Sequence, residues 1–172
     1  EQEVDAAKSV APILGLFLLI PPFWAMFDQT NSTWVLQGYK MVPVKIFGWH
    51  FGAEEMQSMN PLLVMILVPA MTLGLYPLVG RLASPLRRMS SGMFLGASSF
   101  LVVAWIQRQI DSGHQMSILW QTWPYVILTI AEVLTSTTGL EFAFREAAPE
   151  MKSLIMSFFL LTISVGDLLV AV

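Results

Sequence analysis

Four polar side chains stand inside long apolar stretches of this sequence, and they are the groups that could do chemistry: Asp28, Asn60, Glu132 and Asp167. An ionisable group in hydrocarbon is costly, so each acid is a functional candidate by default. Glu132 has no Lys or Arg close to it in its own apolar stretch, and Ser136 lies four residues on, on the same helical face. Two chemistries suit that stripe. A protonated acid would hydrogen-bond a neighbouring helix, whereas a carboxylate would meet a cationic group or carry a proton. For Asp28, one reading is a pair with a basic residue outside this sequence, which could itself form a proton-linked gate. Asp167 stands nearer the end of its stretch, where hydration or snorkelling also accounts for it. Asn60 precedes Pro61, so it either caps a helix start or presents an amide to the same interior as Glu132.

No other catalytic constellation is present. The sequence has no glycine-rich phosphate loop and no nucleophile–base pair, which argues against an enzyme. Cys is absent, so disulfide scaffolds and thiolate metal sites are excluded. The two histidines, His50 and His114, fall in polar connections without a second ligand at metal spacing and read as surface residues, so no metal site is expected. The run Thr135, Ser136, Thr137, Thr138 suits backbone bonding or a polar helix face better than nucleophilic attack.

The elements that must position these groups follow from composition. The 172 residues are 55% hydrophobic and only 12% charged, with a net charge of −3 and a mean hydropathy of +0.65. A soluble domain carries about 25% charged residues, and no basic stripe exists to meet phosphates, so a nucleic-acid partner is excluded. An all-α integral membrane protein remains. A spanning helix needs roughly 20 mostly apolar residues, and five segments meet that, at about 9–37, 59–80, 89–107, 116–144 and 151–172. None alternates with period two, which argues against a barrel. The first is too long, and too polar in its second half, for a signal peptide.

Lys8, Arg81, Arg87, Arg88, Arg145 and Lys152 fall on one side of this arrangement, against Lys40, Lys45 and Arg108 on the other. Basic loops favour the cytoplasm, so the N-terminal side is expected inside. Trp34, Trp49, Trp105, Trp120 and Trp123 gather near the outer ends. The third segment carries no ionisable group between Met89 and Gln107 and is expected to face lipid, while the other four face something polar. Pro21, Pro22, Pro69 and Pro77 are expected to bend their helices, and Gly139 and Gly166 to break theirs. With no initiator Met and an apolar C-terminal end, the sequence reads as a piece of a larger bundle.

Specific strings then matter. Residues 23–29, FWAMFDQ, followed by WVLQ at 34–37, resemble the seventh helix of the proton-coupled oligopeptide transporters. Met59-Asn60-Pro61 is similar to the start of that family's eighth helix. AEVLTSTTGLEF at 131–142 resembles the tenth-helix signature, and Ala148-Pro149, Met151-Lys152-Ser153 and Leu160-Leu161-Thr162 resemble the eleventh. The strings occur in the family's order and at its spacing, over nearly the whole sequence.

The resemblance implies helices seven to eleven of a major facilitator fold, lacking the N-terminal half and the last helix. It implies proton-coupled import of di- and tripeptides, a secondary active transporter that needs no cofactor beyond the proton gradient. Glu132 would bind the peptide's amino terminus with Asn60 assisting, Ser136 would line the same pocket, and Trp24 would form a wall. Phe159 stands where the family usually has Trp, so an aromatic wall survives without an indole donor. Asp28 would belong to proton coupling and the outer gate, and Glu132 could carry a proton as well. The partners implied are the peptide, protons, membrane lipid and the missing N-terminal half. The short link between the third and fourth segments leaves no room for the large outer domain of animal relatives, which suggests a bacterial inner membrane. Two alternatives stand beside this reading: a facilitator of another small solute such as nitrate or a metabolite, and a membrane scaffold without transport.

Overall fold

Pro21 and Pro22 shape the first helix. Neither offers an N–H, so the chain tightens before them, with Leu19 and Ile20 donating to the carbonyls of Leu16 and Phe17 at 3.1 Å. A regular helix resumes at Pro21–Asp28 and passes through a 3₁₀ turn, Gln29–Asn31, into Thr33–Gly38. The computed structural model describes residues 13–79, 84–146 and 149–171. The expected start of the first span near Ser9, and Lys8, Arg81, Ala148 and Val172, lie outside the described residues.

Among the described residues, five helices are long and apolar enough to cross a membrane: Ile13–Gly38, Ala53–Leu78, Pro85–Asp111, Ile118–Arg145 and Lys152–Ala171. The protein is an all-α, multi-span helical bundle. Some boundaries differ from those expected, for local reasons. The second helix begins before Met59, because the Glu55 carboxylate accepts from the Gly52 N–H at 2.8 Å and anchors a turn over Ala53–Met56. The third starts at Pro85, whose fixed φ suits a first helical position. Arg87 and Arg88 are therefore helical and not part of a turn. It runs 27 residues and stops before Gly113, at φ +83°.

The prolines and glycines divide differently from expectation. The second helix widens into a π-helical stretch, Ala70–Leu75, directly after Pro69. The fourth does the same at Val133–Thr137, directly after Glu132. Gly139 and Gly166 break nothing: the helices run on through Thr138–Glu146 and Lys152–Ala171. Both are points of close approach instead. A Cβ at Gly139 would meet the Met89 methyl at 3.1 Å. One at Gly166 would overlap the Trp24 Cβ and meet the Pro21 carbonyl at 3.0 Å and the Ala25 nitrogen at 3.1 Å.

The first helix packs along the fifth, and the second and third flank the fourth. The fourth is the most buried of the five and the second the least. The third turns Gly92, Gly96 and Ser99 inward. A Cβ on Gly92 would overlap Thr135 of the fourth helix, and one on Gly96 would meet the Phe23 ring of the first at 3.2 Å. Its other face, with Phe94 and Leu101, is strongly exposed and apolar.

Buried amides tie the first, third and fourth helices. Gln37 Nε2 donates to the Val103 carbonyl and to Gln107 Oε1, both at 3.1 Å. Gln121 Nε2 donates to the Trp34 carbonyl at 2.8 Å and to Gln37 Oε1 at 3.3 Å. Near the opposite ends of the helices, the Arg88 guanidinium sits 3.8 Å from the centre of the Tyr76 ring, joining the second and third helices.

The link between the first two helices is a hairpin, β1 (Val44–Ile46) paired antiparallel with β2 (Trp49–Phe51). Its two-residue turn has Phe47 at φ 50° and Gly48 at φ 83°, the positive pair that a tight hairpin needs. A parallel bridge from Val42 to Ser117 ties its base to the loop before the fourth helix. Tyr39 Oη donates to Glu54 at 2.8 Å beside it, and that carboxylate holds the phenol above its ordinary pKa.

The contact at Gly166 predicts a measurable cost. Valine gains little over glycine in helix propensity, and none of the three atoms a Cβ would meet can rotate away. Gly166→Val should destabilise the purified full-length protein by about 1–3 kcal/mol, seen as a lower melting temperature in detergent. An unchanged melting temperature would show that the first and fifth helices do not meet there.

Candidate functional site

Glu132 closes the regular part of the fourth helix, Thr122–Glu132, immediately before the π-helical stretch. Its side chain is half-buried. Asn60, in the first turn of Met59–Pro69, reaches across from the second helix, and its Nδ2 donates to Glu132 Oε2 at 3.0 Å. The helix-capping alternative for Asn60 does not hold, because the residue lies inside the helix with Ser58 ahead of it. Ser136 Oγ donates to the Glu132 backbone carbonyl at 2.9 Å. Its proton therefore serves its own helix, and its lone pairs stay free to accept. Of the neighbouring threonines, Thr135 and Thr138 are buried and Thr137 is exposed.

Beside Asn60 lies a cavity of about 220 Å³, lined by Phe27, Thr30, Asn31, Gln57, Asn60, Pro61 and Tyr125. It is walled by the first, second and fourth helices. Tyr125 precedes Glu132 by seven residues, which places both on one helical face. Its ring also stands edge-on to Trp34, with centroids 5.1 Å apart. Sequence reasoning missed Thr30, Asn31, Gln57 and Tyr125. The spacing of Tyr125 from Glu132 was a usable signal; the others are polar residues near helix ends, which resemble ordinary loop residues.

Asp28 belongs to a different interface. It ends the helix Pro21–Asp28, and its carboxyl lies near that of Asp167 on the fifth helix. Oδ2 of Asp28 is buried and has no hydrogen-bond partner among the described residues. Sequence reasoning treated the two acids separately. Trp24 and Phe159 are both buried. Trp24 stacks edge-on with Phe23 and Phe27 at 5.7 Å, and Phe159 with Phe17 at 5.6 Å. They form the aromatic core between the first and fifth helices and do not line the Asn60 cavity. Among the described residues, no three His, Cys, Asp or Glu side chains gather in a way that could hold a metal.

A carboxyl and an amide meeting between two helices, the amide residue also lining a small cavity of mixed polarity, can bind an ammonium group or pass a proton. Five apolar helices around such a site define a multi-pass membrane protein. A family model described as PTR2, the POT family, matches residues 1–172, and the chain belongs to that family. It is 34% identical over 128 residues to rat solute carrier family 15 member 1, covering 69% of this chain and 18% of the relative. Zebrafish solute carrier family 15 member 2 is 37% identical over 100 residues, 56% of this chain and 14% of that one. An auto-inhibited POT family peptide transporter of known crystal structure superposes with a TM-score of 0.89 at 46% identity, over 97% of this chain and 32% of the other. A POT family transporter crystallised with 5-aminolevulinic acid gives 0.75 at 26% identity, over 96% and 34%. The chain thus spans less than a fifth of these curated relatives and about a third of the solved chains.

The Asn60–Glu132 bond predicts a coupling. Asn60→Leu keeps the volume and removes the donor, and a buried acceptor left unpaired costs about 1–3 kcal/mol. A double-mutant cycle with Glu132→Leu, read by thermal stability, should give an interaction energy of about 0.5–3 kcal/mol. Strict additivity would show that the two side chains do not act on each other.

Proposed function

We propose that this chain is helices seven to eleven, the C-terminal half, of a major facilitator-type transporter that imports di- and tripeptides with protons. The first six helices and the twelfth would complete it, and the proton gradient would drive it without a cofactor. The observation that carries the reading is the Asn60–Glu132 pair between the second and fourth helices, whose Asn60 member lines a cavity. A peptide's ammonium loses water on entering such a site, and a carboxylate replaces that water with a charge-assisted bond. Asn60 orients the carboxylate, and Ser136 offers a lone pair one turn further on. The relative crystallised with 5-aminolevulinic acid holds a molecule whose primary amine and carboxylate resemble the two ends of a dipeptide. That likeness supports a site that selects the amine. It weighs against a nitrate-type solute, and a scaffold would need no such site.

The family resemblance supports orientation and location. The basic residues Arg87, Arg88, Arg145 and Lys152 favour the cytoplasmic side, and the hairpin would then face outward. The link between Asp111 and Ile118 is short, in keeping with a bacterial inner-membrane carrier. Trp24 and Phe159 contribute through packing: they hold the first helix against the fifth behind the cavity.

Glu132→Gln tests the amine assignment. Removing one partner of a desolvated charge pair costs about 2–5 kcal/mol, or roughly two to three orders of magnitude in affinity. Binding of free-amine dipeptides to purified full-length protein should fall by that factor, and binding of N-acetylated peptides by much less. Near-normal affinity for the free-amine peptide, at unchanged thermal stability, would remove Glu132 from the amino-terminus site.

Asp28 is proposed to couple protons. A carboxyl that gains and loses a proton as access alternates interacts differently with the two states, which coupling requires. Asp28→Asn keeps the shape and removes the titration. Proteoliposomes containing this variant should lose proton-driven accumulation of dipeptide while retaining most counterflow exchange. Normal uphill accumulation would show that coupling runs elsewhere.

A further inference from the structure

On the hairpin side of the bundle the packed third and fourth helices leave an apolar depression on their exposed face. Between them lies an open groove of about 450 Å³, lined by Leu101, Val102, Trp105, Trp120, Trp123 and Ile127. Every one of these side chains is apolar or an indole. The two walls follow helical periods: 101 and 105 on the third helix, and 120, 123 and 127 on the fourth. Trp105 and Trp120 meet across the groove with ring centroids 5.3 Å apart. Trp105 and Trp120 are each 43% exposed and Trp123 62%. This is a large aromatic surface, on the face of the fourth helix opposite Tyr125 and the Asn60 cavity, for which the transport reading has no use.

Arg108 says what covers it. It follows Leu101 by seven residues and Trp105 by three, so it shares their helical face, about 10 Å from Leu101 along the axis. It is exposed. The groove thus has an apolar floor and an aromatic rim, and Arg108, beyond the residues that line it, lies about one turn past Trp105 on the same helical face. That order matches a phospholipid read from acyl chain through glycerol ester to phosphate. Indoles sit at the ester level of a bilayer and offer an N–H donor, and a guanidinium takes phosphate oxygens bidentately. A protein partner would have no need for a cation at one end of an otherwise dry slot.

We infer that the groove between the third and fourth helices is a site for one glycerophospholipid of the surrounding leaflet, one acyl chain lying along Leu101, Val102 and Ile127 and the phosphate on Arg108. The site retains its lipid when the annulus is stripped. It fastens the outer ends of the third and fourth helices to each other through a molecule that the chain does not encode.

The test uses the full-length transporter in detergent and native mass spectrometry during titration with phosphatidylglycerol. One saturable copy is expected for the wild type. Arg108→Gln should weaken it about fivefold, the size of one basic group at a lipid phosphate. Val102→Trp fills the groove and should remove that copy; if this variant does not fold, Ile127→Trp fills the same space from the other wall. Diacylglycerol has the chains without the phosphate and should bind more weakly, and equally to wild type and Arg108→Gln. Equal phosphatidylglycerol binding by wild type and the groove-filling variant would overturn the site. So would an Arg108→Gln variant with unchanged affinity, or a wild type with no saturable copy because another part of the transporter occupies the groove.

Discussion

A carboxyl group placed inside an apolar bundle must find a partner, and Glu132 imposes that requirement on this chain. The fourth helix carries it and is the most buried of the five. The second helix is the least buried, so little of its large apolar surface meets the other helices. Its amide at Asn60, donating to Glu132 at 3.0 Å, is a directional tie in a setting where apolar contact alone discriminates poorly between neighbours. Apolar packing drives no helix association against lipid, so small residues and polar bonds take over. Gly92 and Gly96 let the third helix lie close against the fourth and first. Gly166 does the same for the first and fifth. The amides of Gln37, Gln107 and Gln121 lock the ends near the hairpin.

The π-helical stretch directly after Glu132 belongs to the same logic. A wider turn carries an extra residue and loosens the regular backbone bonding, and such turns recur at functional sites. Here it begins at the residue after the carboxylate. Ser136 partly repairs the local backbone by donating to the Glu132 carbonyl. The second helix has its own π stretch directly after Pro69, so both helices that contribute to the Asn60–Glu132 pair carry a softened segment beyond it. The first, third and fifth helices have no π stretch among the described residues.

The two acid positions divide the bundle into separate polar interfaces. Glu132 lies between the second and fourth helices, and Asp28 between the first and fifth, facing Asp167. In the proposed transport cycle one interface would read the substrate and the other the proton. Because the fourth helix packs against the third, and the third touches the first, a shift at one interface has a packed route to the other. Interiors packed this closely move between discrete arrangements more readily than they deform.

The sequence by itself determined the class of protein and the identity of its costly groups. Apolar length and sparse charge demand spanning helices whatever their arrangement, because hydrocarbon leaves no other way to satisfy the backbone. Glu132, Asn60 and Asp28 were visible because a polar group in such a run stands out against its neighbours. The spacing of Ser136 also placed it on the face of Glu132. Partnership was not visible. Asn60 could equally have capped a helix, and only the approach of the second and fourth helices directs its amide to Glu132. Asp167 is exposed, as its place near the end of its stretch suggested, but only the packing of the fifth helix on the first brings it near Asp28. Gly139 and Gly166 looked like breaks because glycine weakens a lone helix. Packing reversed their meaning, since a missing Cβ is also what allows two backbones to touch. The hairpin at Phe47-Gly48 escaped notice because Phe is a poor residue for positive φ, and only the pairing of β1 with β2, tied down at Val42, holds it there. Apart from the hairpin, whose strands pair locally, the deciding interactions join residues far apart in the chain, and such contacts leave no local periodicity to read.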